Sequence, residues 1–179
     1  MTEISYRWMN PNEVHRFGEI DRSERIRMGY EYADGSLQKL EVHWDTPTFF
    51  AEGTGEHTVA AQIAFFSEHL SRNGRMLGAF DSEELVGIGL IQHEICPGLS
   101  QLASLHVSNA YRRQGIASRL VKELMDVARR DGANKMYVSA TPSGSAVGFY
   151  LSQGFRPTAI PIPELYELEP EDIHMLCSL

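Results

Sequence analysis

The sequence predicts an α/β fold, a mixed sheet with helices on its faces. Two patterns carry that expectation: three short apolar runs separated by turn residues in the middle of the chain, and after them an alternation of helical and extended spacing. A length of 179 residues suits one domain with a full core, and no repeat of 20 to 50 residues or low-complexity linker divides it. One domain over 1–179 is therefore expected.

In chain order, Ile4 to Trp8 reads as a first strand and Asn12 to about Glu24 as a short helix, while Met28 to Gly55 reads as loop-rich. From His57 to Asn73, Val59, Ile63, Phe66 and Leu70 fall at helical spacing and Gly74 follows as a stop. Arg75–Phe80 and Leu85–His93, separated by Asp81–Glu84, read as an antiparallel hairpin. A Pro97-Gly98 turn leads to a third strand, Gln101–Val107. Gly115–Asp131 is the strongest helix: Ile116, Leu120, Val121, Leu124, Val127 and Ala128 share one face and Gly132 ends it. Lys135–Ala140 is a further strand, Ser143–Gln153 a short helix ended by Gly154, and Phe155 and Ile173–Leu176 are final strands around the Pro-rich 157–163 segment.

Composition excludes several classes. Hydrophobic residues at 42% and charged residues at 22% rule out wholesale disorder. The longest apolar stretch, Leu85–Ile91, falls far short of the ~20 residues of a membrane span, and Glu3 stands where a signal peptide carries positive charge. A cytoplasmic protein without membrane association is expected. Cys96 and Cys177, without Cys-x-x-Cys spacing, read as packing thiols, so no metal site is expected. A net charge of −8 opposes nucleic-acid binding. Its distribution is uneven: residues 1–56 hold 11 acids and 6 bases, 57–157 hold 8 and 10, and 158–179 hold 5 and none. Residues 112–135 form a basic neighbourhood that reads either as a solvated helix face or as an anion site.

Within it, Arg112-Arg113-Gln114-Gly115-Ile116-Ala117 joins a strand to the strongest helix. Gly115 and Ala117 let main-chain N–H groups approach a ligand, and a helix start offers unpaired donors and partial positive charge, so a phosphate or pyrophosphate would be stabilised there. The side chains of Arg112 and Arg113 would add charge-assisted hydrogen bonds. The alternative is a tight strand-to-helix turn that needs glycine for geometry alone. Neither a Walker lysine pattern nor a dinucleotide fingerprint is present.

The run LHVSNAYRRQGIASRLV from Leu105, followed some 25 residues later by SGSAVGFYLSQGF from Ser143, resembles the GNAT N-acetyltransferase superfamily. Arg112, Gly115 and Ala117 meet its Arg/Gln-x-x-Gly-x-Gly/Ala signature, and the second run is similar to its Asn-x-x-Ala-x-x-Phe/Leu-Tyr-x-x-x-Gly-Phe block. The resemblance covers residues 75–156 and implies a core that binds acetyl-CoA. Residues 1–74 are then the acceptor side and 157–179 a terminal strand segment. It implies a splayed central sheet in which the cofactor lies between Gln101–Val107 and Lys135–Ala140. The main chain of Leu105, His106 and Val107 would pair with pantetheine. Arg112, Arg113, Gln114, Gly115, Ile116, Ala117 and Ser118 would hold the pyrophosphate. Ser143, in place of the usual asparagine, would bond the cofactor, and Tyr150 would be the catalytic acid for the CoA thiolate. A phenol suits that role because it keeps its proton at neutral pH.

The implied activity is transfer of acetyl from acetyl-CoA, as co-substrate, to a primary amine of a small molecule or peptide by direct attack. Acidic termini favour a cationic acceptor. The resemblance also allows a homodimer. The alternative is a CoA-binding sensor without turnover, which the missing strand base keeps open: Gln101, Ala103 and Val138 occupy the positions where family members carry one. His106, His93, Glu94, Glu19, Asp21 and Glu24 are the remaining candidates for the base.

Overall fold

The computed structural model describes residues 3–179. Nine strands are present among them: β1 Ile4–Met9, β2 Glu24–Ala33, β3 Ser36–Thr46, β4 Gly74–Asp81, β5 Glu84–Cys96, β6 Leu99–Val107, β7 Lys135–Ala140, β8 Arg156–Pro157 and β9 Ile173–Ser178. Four α-helices accompany them: α1 Val59–Ser71, α2 Ile116–Arg130, α3 Gly144–Ser152 and α4 Pro163–Leu168. Seven strands form one sheet in the order β1-β4-β5-β6-β7-β9-β8, and β2 and β3 form a separate ribbon. Within the large sheet only β6 and β7 run parallel, joined by the crossover through α2.

Each face of the sheet carries its own core. On one, Ile116, Leu120, Val121, Leu124 and Ala128 of α2 join Val147 and Tyr150 of α3 against Met136, Val138, Ile173 and Met175. The stripe read from the sequence of α2 is the buried one. Burial of each such aliphatic side chain favours the fold by about 1.5–3 kcal/mol. Helix α2 settles close to β5 because β5 presents Gly87 and Gly89 there; a Cβ at Gly89 would stand 2.7 Å from Leu124. On the other face, Phe17 and Phe66 join Met76, Phe80, Leu85 and Ile88.

Two expectations for the N-terminal third are corrected. The helix over 12–24 is a 3-10 helix, Pro11–Glu19, and Glu24 already belongs to β2. The chain turns out of it where the Asp21 side chain accepts a bond from the Ser23 amide at 2.9 Å, a local turn that competes with helix. The segment read as loop-rich is the β2–β3 hairpin as far as Thr46, and only 47–55 is loop. Asp34 (φ 50°) and Gly35 (φ 75°) form the two-residue turn of the hairpin, both in the left-handed region that this tight connection requires. The ribbon buries little of itself, and only Ile26 and Gly29 of β2 are inaccessible. It docks through main chain: Tyr30 N–H donates to Pro142 O at 2.9 Å, and Gly29 bridges Ser143. A Cβ on Gly29 would lie 2.9 Å from that carbonyl, so this close approach needs glycine.

Candidate active site

β6 and β7 pair only over Leu99–Gln101 against Lys135–Tyr137. β6 stays bonded to β5 as far as Val107, so from Leu102 onward its β7-facing edge has no strand partner. The register against β5 shifts between Leu90, opposite Ser104, and Ile91, opposite Leu102, leaving Ala103 as the extra residue of a bulge. Such a bulge bends its strand and helps part it from its neighbour. Leu105, His106 and Val107 lie along the open edge; Ser108 N–H donates to Val86 O of β5, so alternation turns the main-chain groups of His106 to β5 and those of Leu105 and Val107 to the gap, where the Val107 carbonyl already accepts from Arg112.

Beyond the open edge, the chain makes one 3-10 turn, Asn109–Tyr111, and enters α2 through two left-handed residues, Arg113 (φ 59°) and Gly115 (φ 83°). Gly115 is the N-cap, and no side chain caps the helix. The N–H groups of Ile116, Ala117 and Ser118 therefore belong to the orphan donors of a first helical turn. Alternating handedness just before them turns successive amides to one side, the geometry of an anion nest. Arg113, Gln114 and Gly115 are exposed at this mouth.

Arg112 behaves differently from expectation. Its guanidinium bonds Val107 O (3.1 Å), Glu24 (2.9 Å) and Arg22 O (2.9 Å), and its own N–H donates to Asn109 O. Each of its three guanidinium nitrogens thus bonds protein, and it staples the N-terminal segment to the loop. The basic surplus of α2 is similarly engaged: Arg119 pairs with Glu123, Lys122 with Asp126 and Arg129 with Asp126, all on exposed helix surface. Of the two readings of that face, the solvated one fits.

Ser143 is buried, and its Oγ caps α3 by accepting from Ala146 N–H at 3.1 Å while meeting Ser145 Oγ at 3.0 Å. That cap accounts for its side chain without a cofactor. Tyr150 is 7% exposed and packs edge-on between Phe149 and Phe155. Burial, with the charges of Asp172 and Glu169 adding to it, raises the phenol above its usual range. It is fully protonated at neutral pH and able to donate.

The candidate bases separate clearly. Glu19 accepts from Leu85 N–H and pairs with Arg16, Glu24 pairs with Arg112, and Asp21 holds its turn. His93 stands 3.1 Å from Asp131 at the far end of α2, which its 15 residues place about 22 Å from the loop. Glu94 lies beside it and is exposed. His106 lies on β6 itself, its ring edge-on to Phe17 and Phe49 at 5.5 Å. Burial, then Arg22 and Arg112, lowers its pKa to about 4, so it is neutral and weakly basic at pH 7.

Beside the opening, the β2–β3 hairpin and the segment 158–174 enclose a cleft of about 610 Å³. Tyr30, Tyr32, Trp44 and Tyr166 give it aromatic walls, and Glu31, Asp34, Glu171 and Asp172 give it carboxylates. Among the described residues, no lysine or arginine lines it. Pro142, after β7, and Ile173, which opens β9 opposite Ala140, form one side of it, and Ile173 belongs to the same buried cluster as Tyr150. Asp172 is partly buried, and desolvation followed by the neighbouring Glu169 pushes its pKa up to about 7. Sequence reasoning missed this residue, because a lone acid before a short strand carries no motif.

Residues 38–155 match the family described as the acetyltransferase (GNAT) family, a span that includes the open edge, the loop and Tyr150. The chain belongs to the GNAT acetyltransferase family. No curated protein matches it in sequence. Among solved structures, it is similar to nourseothricin acetyltransferase at 17% identity, with 99% of both chains covered and a TM-score of 0.73. A Bacillus anthracis str. Ames protein assigned as a streptothricin acetyltransferase, in complex with acetyl-CoA, matches at 15% identity with the same coverage and a TM-score of 0.73. The PaiA N-acetyltransferase of Thermoplasma acidophilum, in complex with coenzyme A, matches at 14% over 99% of both chains with a TM-score of 0.64. At these identities the likeness concerns the fold, and it extends over the β2–β3 hairpin as well as residues 75–156. Among the described residues, no helix is long and apolar enough to cross a membrane.

Proposed function

We propose that this GNAT protein transfers acetyl from acetyl-CoA to a primary amine of a small, cationic acceptor by direct attack. The observation that carries the reading is the parting of β6 from β7 after Gln101, with an uncapped helix start at one end and the protonated Tyr150 in the core cluster against which Leu105 and Val107 pack. The residues fit a CoA ester. The orphan amides of Ile116–Ser118 and the exposed Arg113 would receive the pyrophosphate, and the gap-facing main chain of Leu105, with the N–H of Val107, would bond pantetheine. Main-chain N–H groups on that edge can also stabilise negative charge growing on the thioester oxygen. Tyr150 then gives its proton to the departing sulfur.

Support for a cationic acceptor comes from the cleft, whose aromatic faces and carboxylates both attract ammonium groups. Two neighbours named for nourseothricin and streptothricin acetyltransfer are in keeping with a small-molecule acceptor.

Calorimetric titration with acetyl-CoA, joined to a thiol-release assay over spermidine, L-lysine and neutral and anionic amines, tests the reading. Saturable acetyl-CoA binding and preferential acetylation of the cationic amines are expected. Tyr150→Phe should lower turnover by about 10²–10⁴-fold and leave acetyl-CoA affinity unchanged. Binding without turnover of any amine would instead identify a CoA sensor.

A further inference from the structure

An amine attacks only after losing a proton. With a pKa of ~10.4, a lysine-like amine is neutral in roughly one molecule in 2,500 at pH 7, so a group in the site has to accept the proton. The positions on β6 and β7 that could carry one hold Gln101, Ala103 and Val138, and His106 is held neutral against Phe17 and Phe49.

Asp172 satisfies three independent requirements. It stands in the wall of the acceptor cleft. The topology sets it beside the opening: it directly precedes Ile173, which pairs with Ala140 at the end of β7, and its charge is felt at the Tyr150 phenol. Among the described residues its carboxylate also has no cationic partner, unlike Glu13, Glu19 and Glu24, each of which holds an arginine.

The charged groups around it are all carboxylates, beside the phenols of Tyr30, Tyr32 and Tyr166. Glu169 and Glu171 come from its own segment, and Glu31 and Asp34 come from the hairpin. His174 on β9 is neutral and already satisfied, with Nδ1 2.7 Å from the Tyr137 hydroxyl and Nε2 3.1 Å from Glu169 O. Nothing there neutralises Asp172 until a cation enters.

Resting on the acetyltransfer reading, we propose that Asp172 is the general base, the carboxylate that receives the ammonium proton of the acceptor. The ammonium gives one proton to Asp172, which later releases it to solvent. The nitrogen lone pair bonds to the thioester carbonyl carbon. As the carbon–sulfur bond breaks, its electrons go to sulfur, which takes the Tyr150 proton, and the second nitrogen proton restores the phenol. The products are the amide, CoA thiol and one proton.

Asp172 should also tune the pH response, since a carboxyl poised near neutrality serves as a base without being locked in either form.

The test compares wild type, Asp172→Asn and Asp172→Glu on spermidine and L-lysine across the pH range, with acetyl-CoA affinity and thermal unfolding as controls. In wild type, kcat/KM should rise with an apparent pKa near 7 and level off. Asp172→Asn should lose about 10²–10³-fold at pH 7, bind acetyl-CoA as wild type does, and recover steadily towards the pKa of the amine. Asp172→Glu should restore the levelling-off at a lower rate. A hydroxylamine ether, already neutral at pH 7, should be acetylated by Asp172→Asn and wild type within a few-fold of each other. An Asp172→Asn profile that levels off as in wild type, or equal losses on the ether and the polyamine, would overturn the role of Asp172 alone. A wild type that binds acetyl-CoA and acetylates none of the amines would overturn the acetyltransfer reading with it.

Discussion

On one flank of the β6–β7 opening the unpaired polar groups are main-chain amides, fixed by the handedness of Arg113 and Gly115 and by a helix packed closely on β5. On the other flank they are side chains carried by a ribbon and a terminal segment. The ribbon meets the core mainly through α3 and β9. The difference is one of rigidity and of what can vary. A backbone cradle recognises a diphosphate whatever the neighbouring side chains are, whereas a cleft of tyrosines, a tryptophan and carboxylates selects by the charge and size of what enters it. The staple of Arg112 to Glu24 and Arg22 O ties the two flanks together at one edge.

The contrast breaks most visibly at Gly115. Its φ of 83° strains any residue with a side chain, most of all a β-branched one, although a Cβ there would meet no atom within 4 Å. Gly115→Val should therefore act through backbone alone, turning the first amides of α2 away from their common target. Acetyl-CoA affinity measured by calorimetry should fall tenfold or more, while binding of spermidine to the cleft, followed by thermal shift, changes little. Equal weakening of both ligands would mean that the two flanks move as one body.

The same contrast explains how much was legible in the sequence. The meander and α2 with its buried stripe could be read because periodicity and glycine placement are local signals that the core then uses, whereas the roles expected of the loop and Tyr150 came from the resemblance to the GNAT superfamily. The β2–β3 ribbon could not be read. The Asp34-Gly35 turn was a readable hairpin signal, but β2 and β3 expose most of their residues, so the alternation that marks a half-buried strand is faint. The roles of Arg112 and Ser143 were invisible for another reason. Both residues carry groups suited to a ligand, and only the packing of Glu24 and the start of α3 shows that protein has claimed them. Asp172 needs the fold altogether, since it meets the site only through the pairing of β9 with β7.

Stability against pH sharpens the comparison between the flanks, since Asp172 and His106 titrate with opposite sign. Asp172 has a folded pKa near 7, above its ordinary value of 3.8, so the stability it confers is complete below about pH 4 and is lost as pH rises through 7. His106 has a folded pKa near 4, below its ordinary 6.5, so its contribution is complete above about 6.5 and is lost as pH falls through 4. Between these limits the two offset each other, and the wild type should show a shallow profile. Removing the charge of Asp172 should uncover the slope of His106. Asp172→Asn should be more stable than wild type at pH 8 by about 1–3 kcal/mol, and no more stable at pH 4, by chemical denaturation. Equal stability of the two proteins at pH 8 would show that the fold does not penalise the Asp172 carboxylate.

The smallest expected effect concerns the outer face of α2, which resembles a phosphate-binding surface in composition alone. Lys122 bonds Asp126 at 2.8 Å with its own side chain 72% exposed, one turn along the same helix. A pair in that setting contributes about 0.3–0.5 kcal/mol, and it cancels the charge that would otherwise act at a distance. The field felt by a diphosphate at the N-terminus of the helix then comes from the amides there and from Arg113, since screening by salt suppresses what is left beyond roughly 8–10 Å. Lys122→Ala should accordingly lower stability by no more than about 0.5 kcal/mol and alter acetyl-CoA affinity by less than about twofold at physiological salt. A much larger loss of affinity, removed by raising the salt concentration, would move the cofactor's electrostatics from the backbone cradle to the helix side chains.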